Sequence, residues 1–329
     1  MAEAAAPHSF VTQATRIFAW STVLLTGAYT LNCYLTFWQD WPGILPFLGL
    51  GGTVDTLAVA QLAIYAAAIL LAIFYVLRST DSMLRRDSEI MNGIVTYTIR
   101  AAFYAVLFIG IVDMVISFLR VENMLPAVVG KDLAEQLGRP VFRGTYVHMP
   151  LIGLAVIVAA FKRNIGFVWL ALLVVIAELQ IVIFRFIFDY EQAFMGDLVR
   201  FWYAGLFLFA SAYTLLEDGH VRVDVLYAGF TNKTRGFINA WGSIILGIVF
   251  CWVILGVGMW TKTSIITSAV VGFEVSQSGF GMYVKYLMAG FLGIFAATMM
   301  VQFSSYLLES LADYRGDPGG RERVGESKA

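Results

Sequence analysis

Residues 57–77, LAVAQLAIYAAAILLAIFYVL, form a run of 21 residues without a charged side chain. A helix of this length rises about 30 Å, which is the thickness of the hydrocarbon core of a bilayer. Polar and apolar residues do not alternate along the run, so it is not the pattern of a strand. The run therefore predicts a helix that crosses a membrane.

Similar apolar stretches recur along the chain. Together with 57–77 they give eight predicted spans, near 16–38, 57–77, 94–119, 147–161, 165–188, 199–216, 236–260 and 282–310. The fourth is short and is also compatible with a re-entrant segment. Hydrophobic residues make up 59% of the 329 residues and charged residues only 14%, more apolar surface than a soluble protein could cover. We predict an all-α polytopic integral membrane protein with about eight transmembrane helices.

Basic residues concentrate in alternate connections between the spans, and such loops stay in the cytoplasm. They are Arg78, Arg85 and Arg86; Lys162 and Arg163; Arg222, Lys233 and Arg235; and Arg315, Arg321, Arg323 and Lys328 in the tail. Loops 39–56 and 189–198 contain no Lys or Arg. This pattern predicts that both termini are cytoplasmic. Loop 120–146 breaks the bias with four basic residues, and a short surface helix is expected around 131–138.

Several function classes are disfavoured by composition. A net charge of −1 provides no basic stripe for nucleic acid, and the chain has no glycine-rich phosphate-binding loop. Cys33 and Cys251 fall inside predicted spans, where a buried thiol is the ordinary occupant. His8, His148 and His220 lie in a tail or at predicted helix ends, so neither a haem held by paired histidines nor a zinc site is expected. We predict no cofactor, no metal and no enzymatic activity.

Ionisable residues inside a span are costly and need a partner. Glu178 lies near the middle of the fifth predicted span, with Gln180 beside it and Arg185 seven residues on, on the same face of a helix. We interpret these residues as contacts with neighbouring helices or with a partner subunit. A proton or ion relay and a substrate contact remain as alternatives. Asp113 in the third span and Lys285 at the outer end of the eighth are further polar points.

A polar stretch follows the sixth span. His220, Arg222 and Asp224 stand among valines at the start of what we interpret as an interfacial amphipathic segment, whose apolar residues dip into the bilayer. We therefore expect a structural role for these three residues.

From about residue 174 to residue 311, the order of four features is similar to a known family. Arg185-Phe186-Ile187-Phe188 ends one helix, Asp197 opens the next, 200–210 is rich in aromatic and small residues, and 219–224 reads GHVRVD. This order resembles the small membrane (Q) subunit of tripartite ATP-independent periplasmic (TRAP) transporters. Phe186 stands where the family usually has Tyr, so a hydroxyl is missing there. Residues 1–164 are an extension of about four spans, 165–312 the family-like segment, and 313–329 a tail expected to be disordered.

The resemblance implies a supporting subunit of the bacterial inner membrane. In the family, a large subunit (M) carries the substrate and sodium sites and moves like an elevator, and a periplasmic binding protein (P) delivers an organic acid or similar solute for symport. The small subunit is the stator. Arg185 and Asp197 would then lie near the periplasmic face, and His220, Arg222 and Asp224 near the cytoplasmic face.

The outer loop of the extension is a candidate contact for the binding protein, through Lys131, Asp132, Glu135 and Arg139. Membrane lipids are the other expected partner. A stand-alone carrier or channel is the alternative, but it would need its own polar path through the bilayer. A membrane redox enzyme would need cofactor ligands in the spans.

Overall fold

The structure is a computed structural model, and it describes residues 9–49, 53–80, 82–163, 167–217, 227–276 and 281–319. The α-helices of these residues are α1 Phe10–Trp38, α2 Thr56–Arg78, α3 Leu84–Val121, α4 Leu125–Val129, α5 Lys131–Leu137, α6 Pro140–Arg143, α7 Met149–Phe161, α8 Phe167–Ile187, α9 Ala193–Leu216, α10 Asn232–Gly242, α11 Val249–Met259, α12 Ile265–Val271 and α13 Lys285–Arg315. Two π-helical turns, Gly144–His148 and Ser243–Ile248, join α6 to α7 and α10 to α11. The predicted all-α class is confirmed, and α5 forms where a surface helix was expected.

Seven helical runs of the described residues are long and apolar enough to cross a membrane: Thr56–Arg78, Leu84–Val121, Pro140–Phe161, Val168–Ile187, Phe194–Leu216, Asn232–Met259 and Lys285–Arg315. The predicted span 16–38 lies in α1, which has the length but is not among the seven. Polar side chains along α1, such as Thr22, Thr26 and Asn32, are buried inside the protein and explain its lower apolar character. The fourth predicted span lies in the run Pro140–Phe161, whose 22 residues are long enough and apolar enough to cross a membrane.

The chain forms two compact units. Unit 1 comprises Met1–Val95, Thr214–Trp260 and Ala296–Ala329, and unit 2 comprises Thr96–Tyr213 and Thr261–Phe295. Each unit therefore takes residues from both the N-terminal and the C-terminal parts of the chain. The long helices α3, α9 and α13 contribute residues to both units.

The apolar core of unit 1 is made by α1, α11 and α13. Tyr29 and Cys33 of α1 pack against Cys251 and Leu255 of α11 and against Met300 of α13. Both cysteines are free and buried in this core, as the sequence predicted. The Tyr29 hydroxyl satisfies its hydrogen-bonding need by donating to the Leu255 carbonyl at 3.1 Å.

A buried ion pair joins α1 to α3 in unit 1. The Arg16 guanidinium is fully buried and donates to Asp87 at 2.7 Å. Arg16 also donates to the Ser79 carbonyl at 2.8 Å and to the Ser79 hydroxyl at 2.9 Å. A buried pair is tolerated when further hydrogen bonds satisfy its remaining groups, which is the case here.

A polar seam in unit 1 runs between the first turns of α3 and the last turns of α13. Arg85 pairs with Asp313 at 2.9 Å, and Ser88 donates to Glu309 at 2.7 Å. One turn further along, Ser305 donates to Asn92 at 2.6 Å. Lipid solvates the apolar side chains of separated helices as well as a neighbouring helix does. Within a membrane, such hydrogen bonds therefore fix the register of the two helices.

In unit 2, α3 packs closely against α9. A side chain at Gly110 of α3 would meet the indole of Trp202, because a Cβ there would lie 2.1 Å from the ring nitrogen. A Cβ at Gly205 of α9 would likewise lie 3.0 Å from the side chain of Val106. Small residues at these positions let the two backbones approach.

Helix α10 packs closely on α13 at Gly236. A Cβ at this position would lie 2.6 Å from the Ser310 carbonyl oxygen and 2.7 Å from the Tyr314 amide nitrogen, and these backbone atoms have little room to move. We predict that Gly236→Ala destabilises the protein by about 1–3 kcal/mol. Gly242→Ala is the matched control, since it is on the same helix and its Cβ meets nothing within 4 Å. Thermal unfolding in detergent is the measurement, and an equal midpoint for both variants would contradict the close contact.

Candidate functional site: two carboxylates at the start of the last helix

The start of α13 is held by two buried carboxylates. Two residues before the helix begins at Lys285, the amide of Tyr283 donates to Asp113 at 2.9 Å, and the preceding amide of Met282 donates to Asp197 at 3.1 Å. Negative charge near a helix N-terminus complements the helix dipole. Asp113 comes from α3 and Asp197 from α9, so the two carboxylates join distant parts of the chain at one point.

Asp113 is the centre of a group of charged and polar side chains, here called the Asp113 cluster, in which Asp113, Ser117, Arg143 and His148 are fully buried and Tyr283 is half-buried. The Asp113 carboxylate oxygen Oδ1 accepts from Arg143 at 3.0 Å and from His148 Nε2 at 3.1 Å. The side chains of these three residues have no exposed surface. Arg143 also donates to the Ser117 hydroxyl at 3.2 Å and to the Leu137 carbonyl at 2.9 Å.

The hydrogen bonds of His148 define its tautomer. A carboxylate only accepts, so the ring nitrogen Nε2 that faces Asp113 carries a proton. The other nitrogen, Nδ1, lies 2.8 Å from the Tyr286 hydroxyl and accepts from it in the neutral ring. In this neutral form of the ring, the cluster's charges would be those of Asp113 and Arg143, which cancel.

A π-helical turn brings Arg143 and His148 to the same carboxylate. In a regular α-helix, residues five apart point about 140° away from each other, since each residue turns by about 100°. The turn Gly144–His148 has the wider hydrogen-bonding pattern of a π-helix, which places residues five apart on one face. His148 therefore lies inside a continuous helical run, and our expectation that it lies at a helix end is wrong.

The ring of Tyr283 lies against two guanidinium groups. The Arg143 guanidinium carbon is 4.1 Å from the ring centroid and that of Arg120 is 4.6 Å away. Cations over an aromatic face are attracted to it, more so where water is excluded. Arg120 donates to the Tyr283 hydroxyl and, at 2.7 Å, to the Gly281 carbonyl, and the Tyr283 hydroxyl donates to the Gly138 carbonyl at 2.9 Å.

Both oxygens of Asp113 are occupied by protein donors, so this carboxylate offers no free oxygen to a solute, whereas Arg143 Nη2 is buried and has no hydrogen-bond partner among the described residues. In the part of the chain that the structure describes, no group of three or more His, Cys, Asp or Glu side chains could hold a metal ion. The hydrogen bonds of the site therefore have a structural role, because they fix the residues that lead into α13.

The structure places the predicted polar residues of α8 and α9 differently from one another. Asp197 is buried, and besides Met282 it lies 3.4 Å from the Ser276 hydroxyl and 3.6 Å from Arg200. Glu178 and Arg185 are exposed on α8. Gln180 donates to Gln192 at 3.5 Å, a long contact.

The remaining predicted residues fall into two sets. His220, Arg222 and Asp224 lie outside the described residues. Lys131, Asp132, Glu135 and Arg139 are all exposed on or beside α5, and Arg139 pairs with Glu135 at 2.6 Å, one helical turn apart.

Sequence reasoning marked Asp113 as a polar point but missed its partners. Arg143 was counted only as a loop charge, and His148 and Tyr283 were not assigned to a site. Pro140 gave the one usable signal, since proline favours the first turn of a helix and so predicts a start earlier than residue 147.

Neutralising Asp113 tests the cluster. Asp113→Asn leaves the Arg143 charge buried without a counter-ion, which we predict to destabilise the protein by about 3–5 kcal/mol. The matched control is Glu135→Gln, which removes the carboxylate of an exposed arginine pair and should cost less than about 1 kcal/mol. Unfolding midpoints in detergent measure both. Equal stability of the two variants would show that the buried pair contributes nothing beyond a surface pair.

Comparison with known proteins identifies part of the chain. Residues 171–312 match the family model for the DctQ component of tripartite ATP-independent periplasmic transporters. No curated protein and no solved structure is significantly similar to the chain. Arg185 and Asp197, on which the resemblance rested, both lie inside the matched region, and residues 1–170 supply helices beyond it. The C-terminal part of this multi-pass membrane chain is thus similar to the DctQ component of tripartite ATP-independent periplasmic transporters.

Proposed function

We propose that the chain is the small membrane subunit of a TRAP-type transporter and acts as its stator, the fixed scaffold against which the large subunit moves. Substrate and sodium sites belong to the large subunit, which drives symport of an organic acid or similar solute delivered by a periplasmic binding protein. The complex lies in a bacterial inner membrane, with both termini of this chain in the cytoplasm. The chain itself is not an enzyme and carries no cofactor.

The exposed position of Glu178 carries this proposal. Glu178 is the twelfth of the 21 residues of α8, about 14–17 Å from either end, and it makes no hydrogen bond or ion pair with any residue that the structure describes. An acidic side chain at this depth costs about 2.5–3.5 kcal/mol if it faces lipid. A partner helix that supplies a donor removes this cost.

The exposure of the whole helix agrees with a partner surface. Only 11% of the most apolar residues of α8 are buried within the chain, whereas 22% to 39% are buried in the other spans of the described residues. The helix lies inside the DctQ segment, 171–312. We therefore assign α8, with Glu178, Gln180 and Arg185, to the surface that meets the large subunit.

The extension enlarges the stator. Its helix α3 is fixed to α13 of the DctQ segment by the polar seam in unit 1 and by the Asp113 cluster in unit 2. A stator must resist the force of the moving subunit, and buried hydrogen-bonded contacts make such a support stiff. The exposed residues Lys131, Asp132, Glu135 and Arg139 offer mixed charges for docking of the binding protein.

A stand-alone carrier is the rival function. It would need polar groups that are free to bind a solute within the membrane. Asp113 and Arg143 are instead engaged with each other, and so are Arg16 and Asp87. These pairs support the stator over the carrier.

Co-purification and uptake distinguish the two functions. We expect the tagged chain to bring a large multi-span subunit with it from the native membrane. The purified chain alone in liposomes should move no organic acid under a sodium gradient, whereas the co-purified complex with its binding protein should do so. Uptake by the isolated chain would contradict the stator.

Glu178→Gln tests the assigned surface. Because the charge meets a donor of the partner, we expect the variant to bind the large subunit about tenfold more weakly or worse, equivalent to at least about 1.4 kcal/mol. Glu191→Gln is the control, as it removes an exposed carboxylate just beyond the same helix. Affinity is measured by titration of the separately purified large subunit. Intact assembly with a shifted sodium or proton dependence would place Glu178 in the transport path instead.

A further inference from the structure

A slot opens on the surface of unit 1 between α1 and α10, with α13 as its floor. It has a volume of about 420 Å³. Phe18 of α1 forms one wall, Phe237 and Trp241 form the other, and Leu307, Leu311 and Tyr314 line the floor. The floor residues are four and three apart, so they lie on a single face of α13. We call this cavity the α1–α10 slot.

Two contacts hold the walls of the slot in place. Gly236 seats α10 directly on the backbone of α13, beside Ser310 and Tyr314. On the other side, Arg315 at the end of α13 donates to the Thr12 hydroxyl of α1. Both walls are therefore fixed to the same floor, and the slot is a preformed feature.

The slot lies near the ends of two candidate membrane spans. Its floor and one wall belong to the spans Lys285–Arg315 and Asn232–Met259, close to where the first of these ends and the second begins. Phe18, Phe237 and Trp241 are 40%, 53% and 51% exposed. Large aromatic side chains are typical of the level at which hydrocarbon meets headgroups.

A positive charge stands at the polar end of the slot. The Lys233 ammonium nitrogen lies 5.1 Å from the centroid of the Tyr314 ring, and Tyr314 lines the slot. Lys233 is exposed and has no ion pair with any residue in the described ranges. Arg315, next to Tyr314, has Asp317 at 3.6 Å as a counter-ion. Lys233 is therefore open to an anionic group at this end of the slot.

We propose that the α1–α10 slot binds one anionic phospholipid of the surrounding membrane, with an acyl chain in the slot and the phosphate at Lys233. The apolar walls match the chain, and the ammonium group matches the headgroup at the depth where a lysine reaches the interface. The lipid fills the space between α1 and α10.

Brominated lipids test the proposal, because bromine on an acyl chain quenches tryptophan fluorescence at short range. The full chain is reconstituted in phosphatidylcholine with increasing fractions of dibrominated phosphatidylglycerol or dibrominated phosphatidylcholine. The Trp241 signal is the difference between the wild type and Trp241→Phe. We expect half-maximal quenching at about fivefold lower fractions of the anionic lipid, the effect of about one basic residue near the surface.

Variants separate the parts of the site. Lys233→Gln should make the fractions of the two lipids at half-maximal quenching nearly equal. Lys162→Gln, which changes another exposed lysine at a helix end, should leave the preference for the anionic lipid unchanged. Ala14→Phe places a ring in the slot and should remove the saturable quenching, and Ala67→Phe on exposed α2 should not.

Three outcomes would overturn the proposal. Equal quenching by both lipids in the wild type would show that headgroup charge is not recognised. An undiminished preference in Lys233→Gln would place the anion elsewhere. Absence of Trp241 quenching by either lipid would show that protein, such as a second copy of the chain, covers the slot.

Discussion

The bond between the Asp113 carboxylate and the backbone amide of Tyr283 is the contact on which the arrangement of the C-terminal helix depends. A carboxylate buried in a membrane span is costly unless it is fully hydrogen-bonded. Arg143 and His148 supply the compensating donors, and the π-helical turn between them makes this possible. The same carboxylate also accepts from the Tyr283 amide, two residues before α13, next to the amide held by Asp197. One buried charge thus helps to fix the start of a helix of 31 residues.

The contacts of α13 explain how an extension can be fixed to a DctQ segment. In unit 2, α3 meets the residues leading into α13 through Asp113, and in unit 1 it meets the end of α13 through Ser88 and Asn92. Both contacts join residues before 164 to residues after 280, and both are polar and buried. Hydrophobic matching alone would not fix them, because lipid is as good a solvent for apolar side chains as another helix. Polar pairing gives the two parts a defined register, which is the property that a stator requires.

The helices and the all-α class could be predicted because a long apolar run in a membrane satisfies its backbone hydrogen bonds by forming a helix. The family could be predicted because Arg185, Asp197 and the 219–224 motif stand in a recognisable order. The Asp113 cluster could not be predicted, since Arg143 and His148 are five residues apart and a regular α-helix would point their side chains in different directions. Span 16–38 was counted as equal to the others, although its threonines and Asn32 face protein. For Glu178, the partner proposed here lies on another chain, so neither the sequence nor this fold contains it.

Hydrogen exchange of the backbone amides just before α13 measures the central contact directly. Peptides covering residues 281–286 are followed by mass spectrometry in the wild type and in Asp113→Asn, with Glu135→Gln as the control. If the carboxylate holds the Tyr283 amide, exchange in these peptides becomes faster in Asp113→Asn and stays slow in the control, while peptides from the middle of α2 do not change. Unchanged protection of residues 281–286 in Asp113→Asn would show that the start of α13 does not depend on this carboxylate.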